Sequence, residues 1–132
     1  MKVVRKKPTA VDLAAIANIK EDKAAHILKS PALFFSVYED KELAGVLWGI
    51  GDGVTWLLVG IFVAPAHQRK GIGNALRMKW INHVESKTKG RGRIYGFVPS
   101  RGKPFWDNPA IKPPESEVGR YETRFRKIQG SA

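Results

Sequence analysis

Ten consecutive residues, Val54 to Val63, contain no charge and alternate with no polar face. Such a run is too short to cross a bilayer and too rich in β-branched and aromatic residues to be a comfortable helix, so it reads as a strand buried on both sides. Gly51-Asp52-Gly53 precedes it. That triplet tolerates the positive φ of a hairpin turn, so Leu43 to Ile50 is expected to be the antiparallel neighbour. Leu33 to Tyr38 precedes that strand across the polar turn Glu39-Asp40-Lys41-Glu42, which gives a meander with Val54–Val63 at its centre.

Around this core the remaining elements follow from spacing. Pro8-Thr9 opens one helical stretch that runs to Asn18-Ile19, and Asp22 to Lys29 forms a second, ended by Ser30-Pro31. Met1–Lys7 is at most a charged edge strand. After the central strand comes a loop, Ala64 to Lys70, and then a helix from about Ile72 to Lys87. Its Ile72, Leu76, Trp80 and Val84 recur every four residues, and Gly90 is the expected stop. Arg93 to Val98 reads as a further strand, Pro99 to Pro114 as a proline- and glycine-rich segment with a short helix near Phe105-Trp106, and Val118 to Ile128 as a last strand. The 132 residues therefore form one α+β domain, 1–132, with a mainly antiparallel sheet flanked by helices.

Composition narrows the chemistry. Without cysteine there are no disulfides, thiolate zinc sites or cysteine nucleophiles, and no metal site is expected. The basic start lacks the apolar stretch of a secretory signal, and the chain reads as soluble and cytoplasmic with no membrane partner. The formal charge is +11, and it is unevenly placed. Residues 66–103 carry ten Lys or Arg against the single acid Glu85. That field attracts polyanions, whether a nucleotide cofactor or nucleic acid, although a solvated basic surface would look the same in sequence.

The segment Val63-Ala64-Pro65-Ala66-His67-Gln68-Arg69-Lys70-Gly71-Ile72-Gly73-Asn74 leads a buried strand through a glycine loop into an amphipathic helix. The first amides of a helix lack internal partners and carry partial positive charge, so this arrangement can cradle a phosphate. Two common phosphate motifs fail on spelling. A dinucleotide fingerprint needs Gly or Ala where Leu76 stands, and a P-loop needs Lys then Ser or Thr after Gly71.

The spelling Gln68-Arg69-Lys70-Gly71-Ile72-Gly73 resembles the Gln/Arg-x-x-Gly-x-Gly/Ala signature of the GNAT superfamily of acetyl-CoA-dependent N-acyltransferases. Val63-Ala64-Pro65 resembles its lead-in, and the order of elements is similar over nearly the whole chain. The resemblance implies a GNAT-like sheet whose central strand pair is bulged and splayed, and acetyl-CoA or another acyl-CoA as cofactor. It implies that backbone amides from Arg69 through Lys70, Gly71, Ile72 and Gly73 to Asn74, with Gln68, hold the pyrophosphate. Main-chain groups of Ile61 and Val63, with Phe62 between them, would pair with the pantetheine arm as if it were an added strand, and the Ile61 backbone would donate to the developing oxyanion. Gly60 would sit at the bulge, although close packing against a neighbour explains a glycine there equally well. It also implies that short domains of this kind pair as homodimers.

Two departures from the family pattern bear on mechanism. Trp106 stands where many members have the tyrosine that protonates the leaving thiolate, and indole is no acid. Tyr95, Tyr121 and Ser100 are the remaining candidates, each of which packing would also explain. The central strand has no carboxylate where many members place a Glu. His67 lies by the cofactor loop, and Glu39, Glu42, His83 and His26 have no positional argument. A lysine-type amine needs about 4.6 kcal/mol of deprotonation at pH 7, so a low-pKa amine or water-mediated deprotonation is the expectation. Three classes stay open: an N-acyltransferase for a small-molecule or protein amine, a related enzyme acting on nucleic acid, and a non-catalytic basic binding module.

Overall fold

The structure is a computed structural model that describes residues 1–51 and 53–89, with the backbone of 93–96. The order of elements is β1 (Val3–Val4), α1 (Ala10–Ala17), α2 (Glu21–Lys29), β2 (Leu33–Glu39), β3 (Glu42–Gly51), β4 (Thr55–Val63), a 3-10 turn (Pro65–His67), α3 (Ile72–Thr88) and β5 (Arg93–Gly96). The expected short helix near Phe105-Trp106 and the last strand, Val118 to Ile128, lie outside the described residues.

The five strands among the described residues lie in sequence order, and β1 to β4 are antiparallel neighbours. β5 joins parallel to β4, from Thr55 opposite Arg93 to Leu58 opposite Gly96. A parallel partner needs a crossover element, and α3 supplies it. Among the described residues nothing pairs with 59–63 on the edge away from β3.

Local chemistry sets the boundaries. Thr9 caps α1, its Oγ1 accepting from the Asp12 amide at 3.1 Å, and Asn18 ends the helix in the left-handed region at φ 55°. Asp40 and Lys41, at φ 50° and 68°, make the two-residue turn between β2 and β3 with both central residues left-handed, the hand that matches strand twist. The left-handed cap of α3 is Lys89, not Gly90, which lies outside the described residues.

The sheet divides two apolar layers. On one face α1 and α2 place Leu13, Ala14, Ala24 and Ile27 against Phe34, Val46, Trp48, Ile50 and Leu57. On the other, Ile72, Leu76, Trp80 and Val84 of α3 pack on Phe35, Val37, Ala44, Leu47 and Leu58. The four α3 residues are each at most 1% exposed, so the four-residue spacing seen in the sequence is the buried seam. α3 approaches closely because β3 offers glycines beneath it: a Cβ on Gly45 would stand 2.5 Å from Ile72 Cγ2, and one on Gly49 2.5 Å from Trp80.

The central strand is bulged. Trp48 faces Gly60 across the β3–β4 ladder, but the next residue of β3, Gly49, faces Leu58, so Val59 has no opposite number. The side chains show the consequence. Trp56 and Leu58 point to the α3 face and Leu57 and Val59 to the α1–α2 face. Gly60 then lies under Trp48 on that same α1–α2 face, and Phe62 follows it there, while Ile61 and Val63 turn to α3. One extra residue therefore reverses the facing of everything beyond it. A Cβ at Gly60 would be 2.5 Å from the Trp48 ring, so the bulge and the close packing expected as alternatives occur together.

Two outcomes follow from this packing. Gly60→Ala should cost about 1–3 kcal/mol in urea unfolding, because Trp48 is held between two other rings and has little room to yield. His83 packs edge-on against Phe35 and Trp56 at 5.7 and 5.6 Å. Its pKa is lowered from 6.5, first by burial and then by Arg5 and Lys87. The unfolded chain then binds the proton more readily than the folded one. Stability from the neutral ring is full above 6.5, erodes below it, and is gone once the pH has passed the folded value. Urea midpoints measured across that range should fall with acid, and His83→Gln should flatten the dependence.

Candidate active site

The end of β4 is tied to its surroundings before the chain enters the loop. The Ala64 amide donates to the Ala44 carbonyl at 2.8 Å, and Gln68 Nε2 donates to the Val63 carbonyl at 3.3 Å. The 3-10 turn is closed by the His67 amide on the Ala64 carbonyl. The Gln68 side chain thus braces the loop against the strand, and the Val63 carbonyl is engaged within the chain.

Beyond Gln68 the backbone is set for anion binding. Arg69 and Gly71 are both left-handed, at φ 64° and 81°. A Cβ on Gly71 would meet nothing within 4 Å, so φ rather than crowding calls for glycine there, and the space before the helix is open. Gly71 is the N-cap of α3 and supplies no side-chain bond. The first intrahelical amide is that of Ala75, bonded to the Gly71 carbonyl at 3.0 Å, so the amides of Ile72, Gly73 and Asn74 precede the helical ladder. α1 and α2 each carry an acid in the first turn, and α3 carries none.

Cations gather at this helix start instead. Arg69 and Lys70 precede it, and Arg77 lies one turn in, its Nη2 donating to Asn74 Oδ1 at 2.7 Å. Positive charge near a helix N-terminus opposes the dipole by about 0.3–1 kcal/mol per group when exposed. A bound polyphosphate reverses that sign. The residues from Arg69 to Asn74 therefore fit a pyrophosphate by backbone geometry, dipole and charge together.

His67 and Glu42 show what sequence spacing missed. His67 Nε2 lies 3.8 Å from Glu42 Oε2, and His67 Nδ1 lies 3.4 Å from Lys70 Nζ. An ammonium can only donate, so Nδ1 is the acceptor in that contact. The imidazole links the start of β3 to the loop. These residues are 25 positions apart in the chain, so only the sheet could bring them together. The Asn74–Arg77 contact, by contrast, is an i,i+3 helical pair, a spacing that the sequence carries although it was not singled out above.

The expected site residues fall into three groups. Ile61, Phe62 and Val63 continue directly from the bulge toward the loop, and Gln68 through Asn74 form the loop and the first turn of α3. Tyr95 is in β5, opposite Leu57 on the strand neighbouring the bulge, but its side chain is outside the described residues. Tyr121, Ser100 and Trp106 lie outside them altogether. Among the described residues no three His, Asp or Glu group to hold a metal ion, and no helix is long and apolar enough to cross a membrane.

Comparison with known proteins gives the fold and the family. No curated protein sequence matches the chain. Solved structures share its fold. A probable acetyltransferase of unknown function from meticillin-resistant Staphylococcus aureus superposes with a TM-score of 0.74 at 18% identity, over 89% of this chain and 93% of that one. A ribosomal-protein-alanine N-acetyltransferase from Brucella melitensis biovar Abortus gives 0.69 at 17% identity, over 86% and 93%. An aminoglycoside 6'-N-acetyltransferase complexed with coenzyme A gives 0.55 at 15% identity, over 66% and 57%. The model of the GNAT acetyltransferase family matches residues 7–99 of the 132. With its bulged β4 running into an uncapped, acid-free glycine turn, the chain belongs to the GNAT acetyltransferase family.

Proposed function

We propose that this protein transfers an acyl group, acetyl in the simplest case, from acyl-CoA to a primary amine by direct attack. The observation that carries the reading is the start of α3. Three amides precede the helical ladder, Gly71 is left-handed before open space, and the chain provides no acid of its own. A coenzyme A pyrophosphate supplies the missing charge, and when bound the cofactor brings an activated thioester.

From the loop, β4 runs back through Val63, Phe62 and Ile61 to the bulge, and these residues would hold the arm that carries the thioester. The Ile61 amide follows the displaced residues and is the donor assigned to the carbonyl oxygen as charge builds on it. The amine nitrogen forms the new bond to the carbonyl carbon and the carbon–sulfur bond breaks. The proton lost from nitrogen balances the one taken up by the departing thiolate, so an amide and a free thiol result. The chain contributes alignment and a preorganised donor. Tyr95, Tyr121 and Ser100 remain the candidates for delivering the thiolate's proton.

The test separates binding from folding. Gly73 has an ordinary helical backbone, and a Cβ there meets only Val63 Cγ2 at 3.6 Å. Gly73→Glu should therefore fold, and should gain about 0.3–1 kcal/mol from a carboxylate in the first turn. That same carboxylate occupies the pyrophosphate's place. Acetyl-CoA titrated by calorimetry should bind the wild type saturably and lose most of its affinity for Gly73→Glu. A folded wild type that binds no acyl-CoA would overturn the reading. Gly71→Ala should instead lose stability, by about 1–2 kcal/mol, because φ 81° strains any residue with a Cβ.

A further inference from the structure

The α1–α2 face of the sheet carries a continuous stack of rings. Phe34 of β2 and Trp48 of β3 stack with centroids 5.9 Å apart and planes 19° apart. Trp48 and Phe62 of β4 repeat the arrangement at 5.6 Å and 20°. The row crosses three strands in order, with one ring from each. At its outer end Lys7 Nζ stands 5.9 Å from the Phe34 centroid and closes it with a cation. Phe34 and Trp48 are 2% and 5% exposed, whereas Phe62 is only partly buried. Among the described residues no ring or cation meets the other face of Phe62.

We infer that the acceptor is a flat aromatic amine whose ring stacks on Phe62 as the fourth member of this row. The inference rests on the acyltransferase reading above and specifies its second substrate. Phe62 is the residue after Ile61, the assigned carbonyl donor, so a ring seated on it carries its nitrogen to the thioester. The bulge is what makes this geometry. Without the extra residue at Val59, Phe62 would point toward α3, and no row of three would form.

The polarity of the face agrees. β4 contains no titratable side chain, and the core on this face of the sheet includes Leu13, Ala14, Ile27, Phe34, Val46 and Trp48, with Tyr38 partly buried at its margin and Asp12 acting on that phenol. An ammonium would have to enter that apolar layer with no carboxylate on β4 to pair with it or take its proton. An amine attached directly to an aromatic ring is already neutral at pH 7. It meets both conditions at once, since the ring supplies the stacking surface and lowers the basicity of the nitrogen.

The experiment compares three acceptors at saturating acetyl-CoA, with thiol release as the readout: aniline, benzylamine and cyclohexylmethylamine. Benzylamine and cyclohexylmethylamine share a basic amine and differ in having a flat ring, so their ratio reports stacking. Benzylamine should show kcat/KM higher by roughly three- to tenfold, with the difference in KM. Phe62→Leu should bring that ratio close to one, and Phe62→Tyr, which keeps the ring, should preserve it. Aniline should react with little dependence on pH between 7 and 9, while benzylamine rises steeply over the same range. Equal use of benzylamine and cyclohexylmethylamine by the wild type, or a ratio unchanged in Phe62→Leu, would overturn the inference. Calorimetric binding of acetyl-CoA distinguishes that failure from failure of the acyltransferase reading, which would remove donor binding as well.

Discussion

The organisation of this site depends on one contact, the indole of Trp48 lying across Gly60. Only a residue without a side chain can sit there, and the ladder slips by one residue beside it. That slip places Val59 and Gly60 on the same face and reverses the facing of Ile61, Phe62 and Val63. A regular strand through the same sequence would bury Phe62 beneath α3 and turn Ile61 and Val63 to the opposite layer. The bulge thus divides β4 into a half built for packing and a half aimed at the loop. Its energetic support comes from the rings on either side of Trp48, which hold the indole in place.

The second organising feature is a helix start left incomplete. α1 satisfies its own N-terminus with Thr9, and α2 carries Glu21 and Asp22 in its first turn. α3 has neither device, and is approached by Arg69, Lys70 and Arg77. The chain gives up local stability there, and the seam of Ile72, Leu76, Trp80 and Val84 makes it affordable by anchoring the rest of the helix. Bulge and helix start belong to one strand–loop–helix unit. Gln68 bracing the Val63 carbonyl, and His67 reaching Glu42, fix the distance between the two.

Much of this was legible without coordinates. The uncharged run Val54–Val63 announced a strand, although β3 rather than β4 is the one buried along its length and Val54 is exposed. Gly51-Asp52-Gly53 announced its hairpin, and the four-residue apolar spacing of α3 its buried face. Gln68 to Gly73 spelled the family signature, and the family match over residues 7–99 agrees with it. These signals are local, since each depends on residues within a turn or a strand of one another. Gly60 was ambiguous for a physical reason: a bulge and a close approach both call for glycine, and spelling does not separate them. His67 with Glu42 could not be found at all, because that pairing is made by strand register.

The sequence by itself determined the elements and their order through β5, the position of the glycine turn and the absence of a carboxylate on β4. Those properties follow from periodicity, backbone preference and side-chain chemistry, which act over a few residues. Tertiary structure decided which face each side chain of β4 presents, which rings line up across three strands, and which groups meet the loop. Facing is fixed by ladder register, and one residue of slip inverts it. The composition of β4 would be identical in either register, so the stack ending at Phe62 exists only once Trp48 has settled on Gly60.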